Sequence, residues 1–248
     1  MKFDAVFVVG VGGTGSHLIG PLTQLMTHHS EGCTNIVVID GDSYEESNAN
    51  RQVFSAQHQG ANKAVATVER LGHPDLRAVA AYVDEESFGK LLQAHVPNKK
   101  SKILVVTSVD NHATRKAIID CLDNNKYLNF FLLSPGNQFS TGQVISYVKH
   151  KGKVVGNHPY QKDPDGKLQH PDDFIPGTVE GCAALMTSTP QLILANMAAA
   201  WGVLVNVYAL LEDKGWFDEI HFDAVRAKIV SRPDKIKSLM VEFQKYTG

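Results

Sequence analysis

The sequence has few cysteines, no dense run of one charge and no unbroken apolar segment of membrane length. Its 248 residues include three cysteines that lie far apart and form no CxxC pair, so we predict neither a disulfide framework nor a zinc site. The formal net charge of -2 gives no electrostatic reason to expect nucleic acid or a membrane surface as a partner. The apolar stretch Leu192–Leu211 contains Asn196, Gly202 and Asn206, and we interpret it as a buried helix and not as a membrane span.

What is present is the composition of an ordinary globular protein. Hydrophobic residues make up 43% and charged residues 20% of the chain, and a chain of this length can bury a substantial core. The first residues, MKFDAVFVVG, combine an acidic residue with an early glycine, which is typical of a first strand and not of a signal peptide. We therefore expect a cytoplasmic protein.

Short apolar runs rich in β-branched residues alternate with helical patterns along the first half of the chain. The predicted strands are Val6–Val9, Ile36–Ile39, Val79–Val83 and Ile103–Thr107. The predicted helices between them are Gly13–His28, Ala61–Leu71, Glu85–His95 and Ala113–Asn124. This alternation predicts right-handed βαβ units and an α/β fold with a Rossmann-like, doubly wound, mostly parallel sheet.

The second half of the chain is predicted to add further strands. Leu128–Leu133 and Gln143–Val148 are expected to be strands joined by a turn at Ser134–Gly136. Near the C-terminus, Ile220–Phe222 and Lys228–Val230 are expected to form an antiparallel hairpin.

A long segment at about 150–189 separates these two groups of strands. It has little apolar periodicity and is rich in Gly, Pro, His and Asp, so we expect a crossover loop that is either functional or mobile. Thr189–Pro190 is expected to start an apolar helix that continues to about Leu211, and Pro233–Tyr246 is expected to form an exposed amphipathic helix. No internal repeat is present, so residues 1–248 are predicted to form a single domain.

A glycine-rich turn follows the first predicted strand and opens the first predicted helix. It contains Gly10, Gly12, Gly13 and Gly15, and this G-x-G-x-x-G pattern between strand and helix is typical of phosphate binding at a helix N-terminus. The second predicted strand ends at Asp40, whose carboxylate is placed to accept hydrogen bonds from ribose hydroxyls. These features predict a nucleotide site but do not choose between NAD and ATP.

The residues that follow form a more specific pattern, D-x-D, four residues, then S-N-x-x-R-Q, over Asp40–Gln52. Further motifs come in order: G-x-x-K-A at Gly60–Ala64, D-N-x-x-x-R at Asp110–Arg115, and a hydrophobic strand with an aspartate at Ile220–Asp223. In these motifs the chain resembles the ThiF/MoeB/HesA family, which includes ubiquitin-activating enzymes, over nearly its whole length. The resemblance implies a divergent, stand-alone bacterial member that uses ATP to adenylate a carboxylate.

The chemistry of adenylation assigns roles to the motif residues, and the resemblance implies the same roles. Negative charge builds on phosphate oxygens as pyrophosphate leaves, so catalysis depends on positioning and on cations. Arg51 and Lys63 are the predicted catalytic cations, and Asp110 is the predicted Mg²⁺ ligand. Asp40 is expected to hold the ribose. The predicted nucleotide site also includes Asp42, Asn48 and Gln52.

Each of these residues has a simpler interpretation. An isolated Arg51 or Lys63 is more often a solvated charge than a catalyst, and Asp110–Asn111 are also suited to cap the helix that follows. Arg115 fits a structural ion pair as well as it fits a phosphate contact. The ordered spacing of the motifs favours the functional interpretation.

Cys182 is the candidate nucleophile. It lies shortly before Pro190, a placement similar to that of a cysteine in the crossover loop of ThiF and MoeB relatives. A cysteine there is suited to accept an acyl group as a thioester or to take part in sulfur transfer, and the alternative is a buried structural thiol. Cys33 and Cys121 match no motif and are expected to be structural.

Two features of many relatives are missing. The chain starts at its first predicted strand, without the preceding helices whose arginine reaches a neighbouring active site. We expect either that no such arginine is used or that another protein provides it. The paired CxxC motifs that bind zinc in ThiF and MoeB are also absent, and His150, His158 and His170 have no zinc-site spacing and are expected to be solvated.

The function expected from these motifs is ATP- and Mg²⁺-dependent adenylation of the C-terminal carboxylate of a small ubiquitin-like or sulfur-carrier protein that ends in glycine. Three alternatives remain: activation of a small-molecule or tRNA-linked carboxylate, a non-catalytic scaffold subunit, and an NAD-dependent oxidoreductase, which leaves Ser47–Gln52 unexplained. The resemblance also implies a homodimer, and the long apolar helix is a candidate surface for it.

Overall fold

The computed structural model of the chain describes residues 2–53, 56–98, 100–125, 129–150, 152–156 and 191–232. Several predictions therefore lie outside the described residues. They concern the nucleophile Cys182, the solvated His158 and His170, the helix start at Pro190, and the terminal helix Pro233–Tyr246.

The described residues form strands and helices in alternation. The strands are β1 (Ala5–Val9), β2 (Ile36–Ile39), β3 (Leu76–Val79), β4 (Lys102–Thr107), β5 (Asn129–Asn137), β6 (Thr141–His150), β7 (Lys153–Gly156), β8 (Glu219–Asp223) and β9 (Lys228–Arg232). The helices are α1 (Gly13–His28), α2 (Lys63–Leu71), α3 (Glu85–His95), α4 (His112–Asn124) and α5 (Ile193–Leu211). Short 3₁₀ turns cover Glu46–Asn48 and Ala56–His58.

All of these strands belong to one sheet. The strand order is β3-β2-β1-β4-β5-β6-β8-β9, and β7 pairs with β6. Strands β1 to β5 pair in parallel, whereas β6 and the strands after it pair antiparallel. The order runs outward from β1 in both directions, so the sheet is doubly wound. The predicted α/β Rossmann-like fold with a C-terminal antiparallel hairpin is confirmed.

Helices cover both faces of the sheet. On one face α1 and α5 pack over a cluster that includes Leu18, Leu22, Val203 and Val207. On the other face α3 and α4 pack over a separate cluster of buried residues. Every residue of β1 and β2 is buried, as a parallel strand covered on both faces requires.

Side-chain caps determine where three of the helices begin. Asn62, Asp84 and Asn111 each accept hydrogen bonds from backbone N–H groups in the first turn of α2, α3 and α4. Such a cap contributes about 1 kcal/mol. Because Asn62 is the cap, α2 begins at Lys63, two residues after the predicted start at Ala61.

The predicted third strand is displaced. We predicted Val79–Val83, but β3 covers Leu76–Val79, in register with Ile36–Ile39 of β2. β3 is the edge strand, and Arg77 and Ala78 in its middle are exposed. An edge strand lacks the continuous apolar run on which the prediction relied.

The predicted turn at Ser134–Gly136 is wrong. These residues belong to β5, which continues to Asn137 in register with β6. β4 pairs with β5 only as far as Leu133, so Pro135 lies where β5 has a neighbour on one side only, and a missing N–H is tolerated there.

The region around the predicted crossover loop also differs from the prediction. β7 lies within it and pairs with β6, and His150, which we expected to be solvated, is the half-buried last residue of β6. α5 begins at Ile193, after the extended residue Leu192. The Leu192 N–H donates to the Phe139 carbonyl oxygen at 2.9 Å, which ties Leu192 to the β5–β6 turn.

Helix α5 is the one helix among the described residues that is long and apolar enough to span a bilayer by length and composition, and half of that segment is buried. The buried half faces α1 and the sheet.

Candidate nucleotide-binding site

The candidate site lies at the carboxyl ends of β1, β2 and β4, where a doubly wound sheet binds ligands. The glycine loop, Gly10–Gly15, connects β1 to α1. Gly10 has a φ of +95°, and a Cβ on Gly15 would lie 2.0 Å from the Gly10 carbonyl oxygen, so the tight turn requires glycine at both places. By contrast, nothing lies within 4 Å of a Cβ built on Gly12. A phosphate group therefore has room to approach the loop there.

The first turn of α1 offers donors to such a group. It has no side-chain cap and no acidic residue, so its N–H groups and its positive dipole end are available to an anion.

Asp40 follows β2 and faces the glycine loop. Its carboxylate accepts hydrogen bonds from the Val11 N–H at 2.5 Å and the Asp42 N–H at 2.8 Å. Burial raises the pKa of Asp40 to about 6, and the nearby Asp42 carboxylate acts in the same direction, while Lys63 opposes both. The side chain is thus an anchored, buried acceptor beside the loop, as a ribose-binding carboxylate needs to be.

Asp42 and Lys63 form an ion pair beside Asp40. The Lys63 Nζ lies 3.0 Å from an Asp42 carboxylate oxygen, and the Lys63 side chain is only 8% exposed. The other Asp42 oxygen accepts a hydrogen bond from the Tyr82 hydroxyl at 2.5 Å. The Tyr82 ring packs on Gly41, where a Cβ would lie 2.5 Å from it. Burial, the bond to Asp42 and the charges of Asp42, Asp40 and Asp110 all raise the pKa of Tyr82.

The segment with Asn48, Arg51 and Gln52 packs along α1. The His17 imidazole hydrogen-bonds to the Arg51 carbonyl oxygen at 3.2 Å, and the Val53 N–H donates to the Ser16 hydroxyl at 3.2 Å. These two bonds hold the segment that carries Arg51 against the beginning of α1.

The three side chains of this segment differ in their surroundings. Arg51 donates to the Ser47 carbonyl oxygen and the Asn50 amide oxygen. Asn48 is buried and closes a local capping box with Glu45. The Gln52 side chain is buried, and its Oε1 has no hydrogen-bond partner among the described residues.

Asp110, Asn111 and Arg115 follow β4 at the same edge. Asn111 caps α4 by accepting from the Thr114 N–H at 2.8 Å, so the predicted cap belongs to Asn111, while Asp110 is exposed. Arg115 donates to the Ser134 hydroxyl and to the Val109 carbonyl oxygen. Through these bonds the Arg115 side chain, on α4, links the residues that follow β4 to β5. This link favours a structural role for Arg115.

Asp110 is the predicted metal ligand at this edge. Within the described ranges no group of three or more His, Cys, Asp or Glu side chains is arranged to hold a metal ion. Asp110 is a single exposed carboxylate, and Mg²⁺ commonly takes one or two carboxylates and completes its ligands with phosphate oxygens and water.

The structure thus brings together the predicted glycines, Asp40, Asp42, Lys63, Arg51 and Asp110. It does not place Cys182, which lies outside the described residues. Cys33 is buried and Cys121 is half-buried, and burial raises the pKa of the Cys121 thiol to about 11. Both thiols are therefore poorly reactive at neutral pH, in accord with the structural role expected for them.

Three polar side chains at this edge were not predicted: Tyr82, Asn137 and Asn196. Tyr82 and Asn137 belong to no motif. Asn196 interrupts an otherwise apolar helix, which is a sequence signal for a buried polar contact. We interpreted this interruption only as evidence against a membrane span.

A doubly wound sheet with a glycine loop before α1 and a buried carboxylate after β2 places the chain in the Rossmann-like α/β class, whose ligands bind at this edge of the sheet. The sequence model of the ThiF family matches residues 2–207. The chain belongs to the ThiF family.

Individual relatives are distant. The chain is 25% identical over 201 residues to the adenylyltransferase and sulfurtransferase MOCS3-1 of Drosophila pseudoobscura pseudoobscura, a match that covers 78% of this chain and 41% of that protein. The crystal structure of E. coli MccB with ATP matches with a TM-score of 0.62 at 19% identity, over 93% of this chain and 64% of MccB. The crystal structure of PaaA matches with a TM-score of 0.59 at 17% identity, over 92% of this chain and 63% of PaaA.

The two structural matches show a shared fold. In each case the chain spans less than two thirds of the relative, and it spans about two fifths of MOCS3-1.

Proposed function

We propose that the chain is an ATP- and Mg²⁺-dependent adenylyltransferase that activates the C-terminal carboxylate of a small ubiquitin-like or sulfur-carrier protein ending in glycine. The observation that carries this proposal is the convergence at one edge of the sheet of the glycine loop, Asp40, Lys63, Arg51 and Asp110. Family membership supports it, as do a relative named as an adenylyltransferase and a structural neighbour crystallised with ATP.

In the proposed reaction a carboxylate oxygen of the carrier attacks the α-phosphorus of ATP. The new P–O bond forms as the bond to the bridging oxygen breaks, and pyrophosphate leaves. No proton moves, because the carboxylate is ionised at neutral pH.

The residues of the chain would act mainly by positioning and by charge. Asp40 holds the ribose, and the first turn of α1 receives the phosphates. Lys63 and Arg51 neutralise the pyrophosphate as it leaves; the burial of Lys63 strengthens its effect, because the surroundings screen its charge less than water does. Magnesium held by Asp110 and phosphate oxygens would supply further positive charge.

Pyrophosphate exchange into ATP tests this proposal. A carrier protein ending in glycine should stimulate exchange, and the same carrier without its terminal glycine should not. Lys63→Met should lower the exchange rate by about 100-fold or more, in line with other removals of transition-state charge stabilisation. The matched control is Lys90→Met, because Lys90 is a lysine on α3 that is 71% exposed.

The outcomes separate the proposal from its alternatives. Stimulation by a small carboxylate or an aminoacyl-tRNA, but by no carrier, assigns a different substrate to the same chemistry. Binding of ATP without any exchange indicates a non-catalytic scaffold. Equal exchange rates for Lys63→Met and Lys90→Met contradict the role given to Lys63.

We further propose that Cys182 accepts the acyl group from the adenylate as a thioester, with AMP as the leaving group. The test is a carrier–protein adduct that thiols cleave and that Cys182→Ser does not form. Cys33→Ser and Cys121→Ser are the matched controls, because both thiols are buried or half-buried. An adduct that persists in Cys182→Ser rules out this step.

The proposed homodimer has a candidate surface on α5. Its outer face carries a stripe of exposed apolar side chains. They are Ile193, Leu194, Met197, Trp201 and Tyr208.

A charge placed in this stripe tests the dimer. Trp201 is 46% exposed, and we expect Trp201→Glu to convert a dimer to a monomer in sedimentation velocity. The control is Ile229→Glu, which adds the same charge at an exposed apolar position of β9. A wild-type protein that sediments as a monomer contradicts the dimer.

A further inference from the structure

A cluster of three polar side chains lies at the N-terminus of α1. The Asn137 Nδ2 donates to the Asn196 Oδ1 at 3.0 Å, and the Thr14 hydroxyl lies 3.4 Å from the amide oxygens of both asparagines. The three residues come from the first turn of α1, the end of β5 and the beginning of α5. We call them the amide cluster.

The hydrogen bonds of the amide cluster are incomplete. Asn196 is 0% exposed, yet its Nδ2 has no hydrogen-bond partner among the residues that the structure describes. Burying an amide without a partner costs about 1–3 kcal/mol, and such a group at a ligand-binding edge indicates that a further acceptor completes it.

The unpartnered amide faces the glycine loop. A Cβ on Gly13 would lie 2.6 Å from the Asn196 amide nitrogen, so the amide packs directly against the first residue of α1. Asn137 is partly exposed; apart from its bond to Asn196, its amide nitrogen makes only a long contact of 3.5 Å with the Gln138 carbonyl oxygen. An oxygen that enters between Asn137 and Gly13 can therefore accept hydrogen bonds from the cluster and from the free N–H groups of α1.

The amide cluster and Lys63 lie on opposite sides of the glycine loop. Lys63 is on the β2 side of β1, because it pairs with Asp42, which follows β2. Asn137 is in β5, on the other side of β1 in the sheet order, and Asn196 is on α5. In a displacement at phosphorus the attacking and leaving oxygens are roughly in line. A leaving pyrophosphate that moves toward Lys63 therefore requires a nucleophile that arrives from the side of the amide cluster.

We propose that the amide cluster is the subsite for the reacting carboxyl group and the last peptide unit of the acceptor tail. Asn137 contacts this group directly. The Asn196 Nδ2, which lacks a partner among the described residues, is a second donor to this group, and Asn196 also orients Asn137 and Thr14. This inference rests on the proposed function, since it names the residues that hold the attacking carboxylate in that reaction. Neutral amides are suited to this task, because they donate to a carboxylate without the ion pairing that would weaken it as a nucleophile.

Binding of an unreactive mimic tests the subsite without relying on turnover. The two ligands are AMP and an acylsulfamoyl adenosine, in which a sulfamate replaces the phosphate of the acyl adenylate and acetyl-Gly-Gly is the acyl group. Their affinities are measured by titration calorimetry. The wild-type chain should bind the mimic about 100-fold more tightly than AMP, since mimics of the activated state gain affinity from the subsite for the reacting group.

Variants of the amide cluster should change the affinity for the mimic and leave the affinity for AMP unchanged. Asn137→Asp places a negative charge where the acyl oxygen binds and should weaken the mimic by about 10-fold, with AMP within about twofold. Asn196→Ala should weaken it by about fivefold through loss of this donor and of positioning. Gln138→Glu is the control, because it adds the same charge to the next, exposed side chain and should change neither affinity. Since Asn137 is partly exposed, its variant should fold even if Asn196→Ala does not.

The outcomes separate this inference from the function on which it rests. A wild-type chain that binds AMP but binds the mimic no more tightly overturns the subsite and leaves the nucleotide site intact. Equal losses for AMP and the mimic in Asn137→Asp also overturn it. A wild-type chain that binds neither ligand overturns the proposed function itself.

Discussion

Asp40→Asn is the most informative single substitution, because Asp40 combines a buried charge with the predicted ribose contact. In the folded protein burial raises the pKa of Asp40 from 3.8 to about 6. Its carboxylate nevertheless accepts two backbone hydrogen bonds, from Val11 and Asp42. Asparagine keeps the shape and removes the charge, but it offers one acceptor oxygen where two N–H groups donate.

The size of the effect follows from the two pKa values. Below about pH 4 the carboxyl group is protonated in both the folded and the unfolded chain, and above about pH 6 it is ionised in both. Between these limits the folded chain keeps the proton and the unfolded chain releases it, so the contribution of Asp40 to stability falls as pH rises. A difference of about two pKa units corresponds to about 3 kcal/mol. The lost acceptor in Asp40→Asn costs about 1–3 kcal/mol at every pH.

We therefore expect the wild-type chain to exceed Asp40→Asn in stability by about 3 kcal/mol more at pH 3 than at pH 7. Near neutral pH the two effects largely cancel, and the two proteins should be about equally stable. Urea denaturation at a series of pH values measures the difference directly. The nucleotide affinity of the variant at neutral pH should fall by about 10-fold, since it loses a charged acceptor for the ribose.

Asp84 is a control, because its contribution to stability should change with pH in the opposite direction to that of Asp40. Hydrogen bonds from the Ser87 hydroxyl and N–H lower the pKa of Asp84, so its contribution to stability is present above its ordinary pKa and is lost as pH falls. The difference between the wild-type chain and Asp84→Asn should thus grow with pH, whereas the difference for Asp40→Asn should shrink. A difference for Asp40→Asn that is flat, or that grows with pH, would show that Asp40 carries no burial penalty.

Three further substitutions have specific expected results. Gly15→Ala places a methyl group 2.0 Å from the Gly10 carbonyl oxygen and should lower the free energy of unfolding by about 3 kcal/mol; denaturation at the wild-type midpoint would contradict the close approach. Asn62→Ala removes a side chain that caps α2 by accepting from two N–H groups and that donates to the Asp40 and Asp42 carbonyl oxygens. It should cost about 1–3 kcal/mol in urea denaturation, and an unchanged free energy of unfolding would contradict these contacts. Tyr82→Phe should remove a tyrosine that titrates above the ordinary tyrosine pKa in ultraviolet absorbance, because burial and Asp42 raise its pKa; loss of an ordinary tyrosine would contradict the bond.

Matched controls exist for each of these changes. Gly12→Ala adds a methyl group where nothing lies within 4 Å, and should cost far less stability than Gly15→Ala. Asn62→Ser retains an oxygen that can cap α2, and it should recover the capping part of the loss but not the part due to the amide nitrogen. Tyr208→Phe removes the hydroxyl of an exposed tyrosine on α5, for comparison with Tyr82→Phe.

The nucleotide half of the site was predictable from the sequence because its residues lie in short, contiguous patterns. Gly10–Gly15 follow a buried strand directly, Asp40 follows the next one, and Lys63 begins a helix. Parallel strands bring their carboxyl ends to one edge of the sheet, so knowledge of the strand order places these residues together without further information. The bounds of α1 and α3 were likewise predicted correctly, since both are set by local periodicity and end signals.

Other features depend on partners that are distant along the chain, and no local pattern contains them. Pro135 is tolerated inside β5 only because β4 stops pairing at Leu133. The Tyr82 hydroxyl, which follows β3, donates a hydrogen bond to the Asp42 carboxylate, which follows β2. The amide cluster assembles from α1, β5 and α5, and Thr14 lies more than a hundred positions before either asparagine. The sequence alone therefore predicts where a nucleotide is proposed to bind. The packing of α5 against the glycine loop, which only the tertiary structure decides, places polar groups where an acceptor carboxylate is proposed to bind, because hydrogen-bond partners are determined by proximity in the folded chain.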